Sequence, residues 1–195
     1  MTEKSTATPF VRTWEILPSR GYETAWIDLG EANLSARGRA VGLAPEPYWV
    51  AYELETGPGF VTRRMAVTIE TATAVRTLDL RRDADGRWTA DGRPRPELAG
   101  ALDCDLGLSP LTNTMPVLRH GLHRGPGEGP RRFTMAWVSV PELTVRSPVQ
   151  TYTHLARAEH GARIRVESGT FRSDLEVDGH GLVLDYPQLA TALTR

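Results

Sequence analysis

Two aspartates, Asp103 and Asp105, are separated by a single residue in the middle of the chain. On a β-strand, residues two apart point to the same face, so these carboxyl groups would be neighbours. Paired carboxylates can act as acid and base, because proximity splits their pKa values. They can equally cap the following loop or pair with Arg63 or Arg119, since such carboxylates also occur in structural networks. We favour structural pairing and keep acid–base catalysis as an alternative.

Arg63 is predicted to point toward an apolar face. If residues 60–70 form a strand, it shares a side with Val61, Met65, Val67 and Ile69. An unpaired buried charge is strongly unfavourable, so such an arginine must be paired or must bind a ligand. We favour a salt bridge to Asp103, Asp105 or Asp79, or a side chain that reaches solvent at a sheet edge. The alternative is a counter-charge for an anionic group of a ligand in an apolar cavity.

Residues 107–119 form a polar segment between two apolar regions and follow neither the helical nor the strand period. Pro110 and Pro116 interrupt regular structure, and residues 112–114 (Thr-Asn-Thr) can bond backbone groups. These features predict a loop that crosses the core or borders a binding site. We expect residues 112–114 to be mostly buried and bonded to the backbone of neighbouring strands.

Other reactive residue types lack the context that their chemistry needs. His120 and His123 lie in a glycine-broken loop without a second metal-binding motif, so we predict no metal. Cys104 stands between two aspartates, which would raise its pKa, and it is predicted to be a small buried residue. Ser109 precedes a proline and does not form a nucleophile elbow. Gln150 and Tyr152 share a face of a predicted strand and could line the polar end of a cavity.

The composition excludes several classes of partner. The chain has 195 residues, of which 40% are hydrophobic and 24% charged, and a net charge of -1. A nearly neutral protein offers no electrostatic footprint for nucleic acid or anionic membrane. Its single cysteine cannot form an internal disulfide. The N-terminus lacks the apolar run of a signal peptide, and no stretch approaches the ~20 apolar residues of a transmembrane helix. We predict a cytoplasmic protein with no transmembrane segment and no cofactor.

Short alternating segments separated by Gly, Pro and Asp predict an all-β, mainly antiparallel domain. The predicted strands are residues 22–29, 34–41, 48–54, 60–70, 75–81, 87–89, 133–140, 145–155, 163–167, 171–177 and 182–186. Residues 188–193 are the only predicted helix. We expect one domain over residues 1–195, with residues 1–12 as a loose tail, and more than ~40% strand against an average of ~20–25%.

The faces of these strands predict a curled sheet. Residues 163–167 and 171–177 alternate cleanly, with apolar residues on one side and charged residues on the other. Residues 133–140 and 48–54 instead carry apolar side chains on both sides and need cover on both faces. A roll or half-barrel provides that cover and can leave an apolar cavity.

Six separated motifs resemble the bacterial family named "Putative glycolipid-binding" over most of the chain, from Trp14 to Tyr186. The motifs are Phe60-Val-Thr62-Arg63, Asp85-Gly86-Arg87-Trp88, residues 100–106, residues 109–116, Gln150-Thr-Tyr152-Thr153, and Val177-Asp178 with residues 181–183 and 185–187. The resemblance implies a spiral β-roll of antiparallel strands, similar in shape to bacterial lipoprotein carriers. It also implies the binding of a glycolipid-like ligand.

Together, these features predict a binding protein for a glycolipid or another amphiphile, with the tail against an apolar concave face and the head at a polar end. The predicted ligand-binding residues are Arg63, Asp103, Asp105, Asn113, Arg119, Trp49, Trp137, Gln150 and Tyr152. The alternatives are a small enzyme that uses Asp103 or Asp105 as acid or base, and a non-catalytic structural or interaction protein. The sequence favours a non-enzymatic role and leaves the oligomeric state open.

Overall fold

The computed structural model of the protein describes residues 8–193. It is 57% strand and 9% helical, so the predicted all-β class is confirmed. The strands are β1 (Thr8–Ile16), β2 (Gly21–Leu29), β3 (Leu34–Gly42), β4 (Tyr48–Thr56), β5 (Thr62–Thr71), β6 (Val75–Arg82), β7 (Trp88–Ala90), β8 (Arg93–Pro94), β9 (Asp103–Leu106), β10 (Arg131–Val138), β11 (Val145–Arg146), β12 (Val149–Ala158), β13 (Gly161–Ser168), β14 (Phe171–Asp178), β15 (Val183–Tyr186) and β16 (Ala190–Ala192). The described residues also contain one α-helix, α1 (Thr114–Arg119), and three 3-10 turns, Pro58–Phe60, Pro96–Leu98 and Pro110–Asn113.

The strands form one sheet that curls without closing into a barrel, which confirms the predicted architecture. Along the sheet the order is β11, β10, β12, β13, β14, β15, β16, β1, β2, β3, β4, β5, β6, β7 and β8, and these neighbours run antiparallel. Strand β9 lies off this path and pairs in parallel with β10. This pairing sets Asp105 opposite Trp137, and it positions the candidate site.

The prediction of a loose tail over residues 1–12 is wrong for residues 8–12, which belong to β1, and residues 1–7 lie outside the described part of the chain. Strand β1 is paired on both sides, with β2 and with β16. Its apolar period is masked by Arg12, which is buried on the same face as Trp14 and Ile16. The charge is compensated there because Arg12 Nη2 donates to Asp178 Oδ2 at 2.8 Å.

The predicted helix over residues 188–193 is also wrong. Residues 190–192 form β16, which pairs with both β15 and β1. Gln188 has a φ of 70°, a left-handed conformation inside the turn of residues 187–189 that is incompatible with the first turn of an α-helix. Pairing on both sides supplies backbone hydrogen bonds that so short a helix could not match.

Residues 107–119 contain the 3-10 turn Pro110–Asn113 and α1, so the expectation of an irregular loop is only partly correct. The segment does cross the core. Leu111 and Met115 pack in the larger of two buried hydrophobic clusters, and Val117 packs in the smaller one. The 3-10 turn has four residues and α1 has six, and segments this short do not show the helical period of apolar residues in the sequence.

The predicted burial of strand faces is confirmed for two regions and wrong for a third. The apolar residues Ile164, Val166, Leu175 and Val177 of β13 and β14 are buried, and in β10 Met135, Ala136 and Val138 are buried on opposite faces. Phe171, which was predicted on the same dry face of β14, is the exception, because it is 43% exposed. In β4, however, Trp49 is 64% exposed, so this strand has one wet face. The presence of apolar residues on both faces of a strand does not show that both faces are buried, because aromatic side chains can also lie exposed.

Candidate functional site

A cavity of about 730 Å³ lies where β9, β10, β14 and β15 come close together. Its lining includes Asp105, Asn113, Trp137, Gln150, Phe171 and Leu189. Three of these residues are buried and polar, namely Asp105, Asn113 and Gln150, and we call them the polar floor. Phe171 is 43% exposed and therefore lies at the mouth. The cavity thus combines a buried polar end with apolar walls that lead to solvent.

Asp105 is held in the polar floor by two uncharged donors. Gln150 Nε2 donates to Asp105 Oδ2 at 2.6 Å, and Thr112 Oγ1 donates to Asp105 Oδ1 at 3.0 Å. Burial raises the pKa of the Asp105 carboxyl, and these two hydrogen bonds act in the opposite direction. The side chain therefore supplies a buried hydrogen-bond acceptor to the cavity.

Tyr152 supports the polar floor from behind and is itself fully buried. Its hydroxyl lies 2.8 Å from Asn113 Oδ1 and 3.1 Å from Gln150 Oε1, and its single proton can serve either acceptor. Gln150 turns its oxygen toward the tyrosine because its Nε2 donates to Asp105, and Asn113 turns its Oδ1 toward the same hydroxyl. Asn113 Nδ2 then has one long contact, to the Pro110 carbonyl oxygen at 3.5 Å. Tyr152 therefore positions the polar floor and does not itself line the cavity, whereas the sequence suggested that it could line the polar end.

The burial predicted for residues 112–114 is confirmed, with 1%, 5% and 0% exposed for Thr112, Asn113 and Thr114. Their predicted bonding is correct for Thr112 alone, whose Oγ1 accepts a hydrogen bond from the Leu106 N–H at 3.2 Å. Asn113 bonds a side chain, and the Thr114 hydroxyl has no hydrogen-bond partner among residues 8–193. The segment is therefore held by side chains of the site as well as by backbone.

Asp103 and Arg119 form a buried ion pair outside the cavity lining. Arg119 Nη1 donates to Asp103 Oδ2 at 2.7 Å, and Arg119 Nη2 donates to Asp103 Oδ1. The same guanidinium bonds the carbonyl oxygens of Gly59, at 2.8 Å, and Phe60, at 3.1 Å. Burial raises the pKa of Asp103, and the Arg119 charge opposes that effect. The structure therefore gives Asp103 the structural pairing with Arg119 that was one of the alternatives.

The predicted inward orientation of Arg63 is wrong. The residue is exposed, and the inward position belongs to Thr62, which is 0% exposed. The 3-10 turn Pro58–Phe60 and a register shift at Glu55 change the alternation where β5 begins. Arg63 does not contact either aspartate of β9, and Asp79 pairs with Arg64 at 2.9 Å. Arg63 also lies outside the cavity lining.

The two tryptophans that the sequence predicts as ligand-binding residues, Trp49 and Trp137, differ in position. Trp137 lies half-buried in the cavity lining. A Cβ atom on Gly107 would lie 3.0 Å from Trp137 Cζ2, so the indole packs against backbone at that point. Trp49 is on the exposed face of β4 and does not line the cavity. The cavity wall therefore uses Trp137 and, at its mouth, Phe171.

Glu23 is a functional candidate that the sequence reasoning missed. Its side chain is 0% exposed, and its Oε1 accepts hydrogen bonds from Tyr52 OH at 2.5 Å and from Ser109 Oγ at 2.6 Å. Its other oxygen, Oε2, has no hydrogen-bond partner among residues 8–193. Burial raises the pKa of Glu23 to about 7. Ser109 also lines the cavity, so this buried carboxyl lies directly behind the cavity wall.

A signal for Glu23 was present in the alternation of β2, where it shares a face with the buried residues Ala25 and Ile27. The apolar lining residues Phe171, Tyr186 and Leu189 carried no comparable signal. Their residue types and spacing do not set them apart from other apolar residues of the chain. The curl of the sheet brings the three side chains to one cavity.

Two further features bear on the kind of site. Within residues 8–193, no group of three or more His, Cys, Asp or Glu side chains is arranged to hold a metal ion. The same part of the chain contains no helix with the length and apolar character needed to cross a membrane. Cys104 is fully buried, as predicted, and burial raises the pKa of its thiol to about 12.

Comparisons with known proteins agree with this fold. The chain is similar to a DUF1089 family protein from Pseudomonas aeruginosa whose crystal structure has been determined, with 32% sequence identity and a TM-score of 0.71. The alignment covers 87% of this chain and 91% of that one. A search of curated proteins gives no match. The family model "Putative glycolipid-binding" matches residues 11–192, so the chain belongs to this family.

Proposed function

We propose that the protein binds a glycolipid or another amphiphile in the cavity of about 730 Å³. The observation that carries this proposal is the combination of a buried polar floor with apolar walls open to solvent. The volume falls within the ~300–1,000 Å³ typical of small-molecule sites. A molecule with one polar and one apolar end matches this distribution of groups.

The walls support an amphiphile because they are aromatic near the mouth. Trp137 and Phe171 provide large apolar area, and aromatic rings can pack on an aliphatic chain or on the apolar face of a sugar. Phe171 is held beside Tyr186, with ring centroids 6.3 Å apart. An aromatic side chain that is 43% exposed at the mouth of a cavity is favourably covered by a ligand. The family description, which refers to glycolipid binding, supports the same ligand class.

Binding can be tested with octyl β-glucoside, used below its critical micelle concentration, by isothermal titration calorimetry. Phe171→Ala should weaken binding about tenfold, because the lost contact is worth ~1.4 kcal/mol for a partly buried aromatic side chain. Trp49→Ala is the matched control, since it removes an exposed aromatic ring outside the cavity. Native mass spectrometry of the purified protein should also detect a co-purified amphiphile.

The two variants separate the proposal from non-specific adsorption. Equal weakening by Phe171→Ala and Trp49→Ala would mean that the glycoside binds to exposed aromatics in general. No measurable binding of the glycoside, together with an empty protein in native mass spectrometry, would refute the proposed function.

Acid–base catalysis is a second candidate, and it is favoured by one observation. Asp105 lines the cavity and burial raises its pKa, as a general acid requires. A two-carboxylate mechanism receives no support, because Asp103 is engaged by Arg119 outside the lining. If the protein is an enzyme, glycosides or acyl esters should be consumed on prolonged incubation. Asp105→Asn would then abolish turnover.

A further inference from the structure

We infer that the cavity binds its ligand head-first and selects an uncharged polyhydroxyl head group, such as a sugar, through the polar floor. This inference rests on the proposed function and adds to it the chemistry of the head group and the direction of binding. It differs from the anionic head group that the sequence suggested through Arg63.

The direction of binding follows from burial. The members of the polar floor are 5% to 8% exposed, whereas Phe171 is 43% exposed and Arg146 is also exposed. A head group on the polar floor must therefore be the innermost part of the ligand. Its apolar part then lies between Trp137 and Phe171 and continues toward solvent.

The charge of the floor disfavours an anion. Asp105 is bonded by Gln150 and Thr112, which carry no charge. Behind Ser109 lies a second carboxyl group, that of Glu23. An anionic head group on the floor would approach the Asp105 carboxyl group directly and, above about pH 7, the ionised Glu23 carboxyl group as well. Like charges at close range are unfavourable in a buried site.

The cations near the cavity do not change this result. Arg119 is engaged by Asp103 and by two backbone carbonyl groups, and it does not line the cavity. Arg146 does line the cavity, but it is exposed at the mouth, where water screens its charge. A phosphate or sulfate group that formed an ion pair with Arg146 would remain at the mouth, and it would make no hydrogen bond to the polar floor.

Hydroxyl groups match the floor better than an ammonium group does. An ammonium group can only donate hydrogen bonds, whereas a hydroxyl group both donates and accepts. Asp105 presents acceptor oxygens, and Ser109 Oγ, whose proton goes to Glu23, can also accept. Asn113 Nδ2 has donor capacity, since its one contact is long at 3.5 Å. A head group with several hydroxyl groups can serve donors and acceptors together.

The test compares three ligands with the same octyl tail by calorimetry below their critical micelle concentrations: octyl β-glucoside, octyl phosphate and octylammonium. The glucoside should bind at least about tenfold more tightly than either charged ligand, the lower limit expected from a hydrogen bond to a charged group. Tighter binding of the phosphate or of the ammonium ligand would overturn the inference while leaving amphiphile binding intact. If none of the three binds, the proposed function itself fails.

Asp105→Asn tests the floor directly. An asparagine can still accept from Gln150 and can donate to the Thr112 hydroxyl, which can use the Ser109 carbonyl oxygen as its own acceptor at 2.9 Å. The variant should therefore fold, bind the glucoside about tenfold more weakly, and bind the phosphate no more weakly than the wild type does, because a negative charge has been removed from the floor. Arg146→Gln, at the mouth of the cavity, should weaken glucoside binding less than Asp105→Asn does. A larger effect of Arg146→Gln than of Asp105→Asn would overturn the assignment.

Tail length tests the direction of binding in the wild-type protein, so the answer does not depend on any variant. For head-first binding, the end of the tail lies toward the open mouth, where added methylene groups stay in contact with water, so decyl and dodecyl glucosides should gain less than about twofold in affinity per methylene. A buried tail would gain about fourfold per methylene. The fourfold series would overturn head-first binding.

Discussion

Replacement of the buried Glu23 by glutamine should remove a large part of the pH dependence of stability. Glu23 Oε1 accepts hydrogen bonds from Tyr52 and Ser109, and a glutamine Oε1 can accept both. The amide nitrogen would take the place of Oε2, which has no hydrogen-bond partner among residues 8–193. Glu23→Gln therefore keeps the observed hydrogen bonds and cannot ionise. Its unpartnered amide costs ~1–3 kcal/mol at every pH.

The sign of the effect follows from the two pKa values of Glu23. Its ordinary value is 4.5, and burial raises the folded value to about 7. Below pH 4.5 the carboxyl is protonated in both states and contributes nothing to the pH dependence. As the pH rises to about 7, the unfolded chain releases this proton before the folded protein does. Stability therefore falls with pH across this window, by on the order of 3 kcal/mol in total.

The measurement is a set of urea unfolding curves for wild type and Glu23→Gln from about pH 4 to about pH 8, compared as a difference at each pH. The contributions of other titrating groups to the pH dependence are the same in both proteins and cancel in this difference. They include His120 and His123, whose pKa values are lowered by burial. The excess stability of the wild type should fall by on the order of 3 kcal/mol as the pH rises. A flat difference, or one of opposite sign, would refute the assignment of Glu23 as a carboxyl that is protonated in the fold below neutral pH.

Two further predictions concern the buried network. Arg119→Met should lower the free energy of unfolding by about 3–5 kcal/mol, because Asp103 would be buried without a partner. The matched control Arg63→Met, on the surface, should change it by less than about 0.5 kcal/mol, and equal denaturant midpoints for both variants would contradict this difference. Asn113→Ala removes an acceptor of the Tyr152 hydroxyl and should cost about 1 kcal/mol, a fall of a few degrees in melting temperature. An unchanged thermal scan would mean that Gln150 alone satisfies the tyrosine.

The strands that sequence predicted best are those with one dry and one wet face. In β13 and β14, charged residues such as Arg165 and Asp174 alternate with buried apolar residues. Arg165 Nε donates to Asp174 Oδ1 of the neighbouring strand at 2.7 Å. The alternation of charged and apolar residues did not predict β1, because Arg12 is buried there beside apolar residues. Its charge is compensated by Asp178, which lies 166 residues away in the sequence. Local alternation records the type of each residue and does not record a distant counter-charge.

The orientation of Arg63 shows a second limit of alternation. Its assignment assumed that the strand begins at residue 60, but β5 begins at Thr62 after a 3-10 turn. Since the side-chain period of a strand is two, an irregularity of one residue reverses the predicted face. Glu55 and Thr56 of the neighbouring strand pair with Arg64 and Thr62, so Arg63 is the extra residue of a bulge and leaves the inward face. Such irregularities depend on tertiary pairing, which single-sequence periodicity does not report.

Asp103 and Asp105 show why the site could be predicted in part only. The sequence correctly identified both as residues that need partners, and both are buried on β9. Helix α1 brings an arginine to Asp103, whereas β12 brings the Gln150 amide to Asp105 over a separation of 45 residues. The first carboxylate is therefore neutralised as part of the fold, and the second remains available as an acceptor in the cavity. This difference in partners, rather than any difference between the aspartates themselves, is the basis of our proposal that the cavity takes hydroxyl groups rather than an anion.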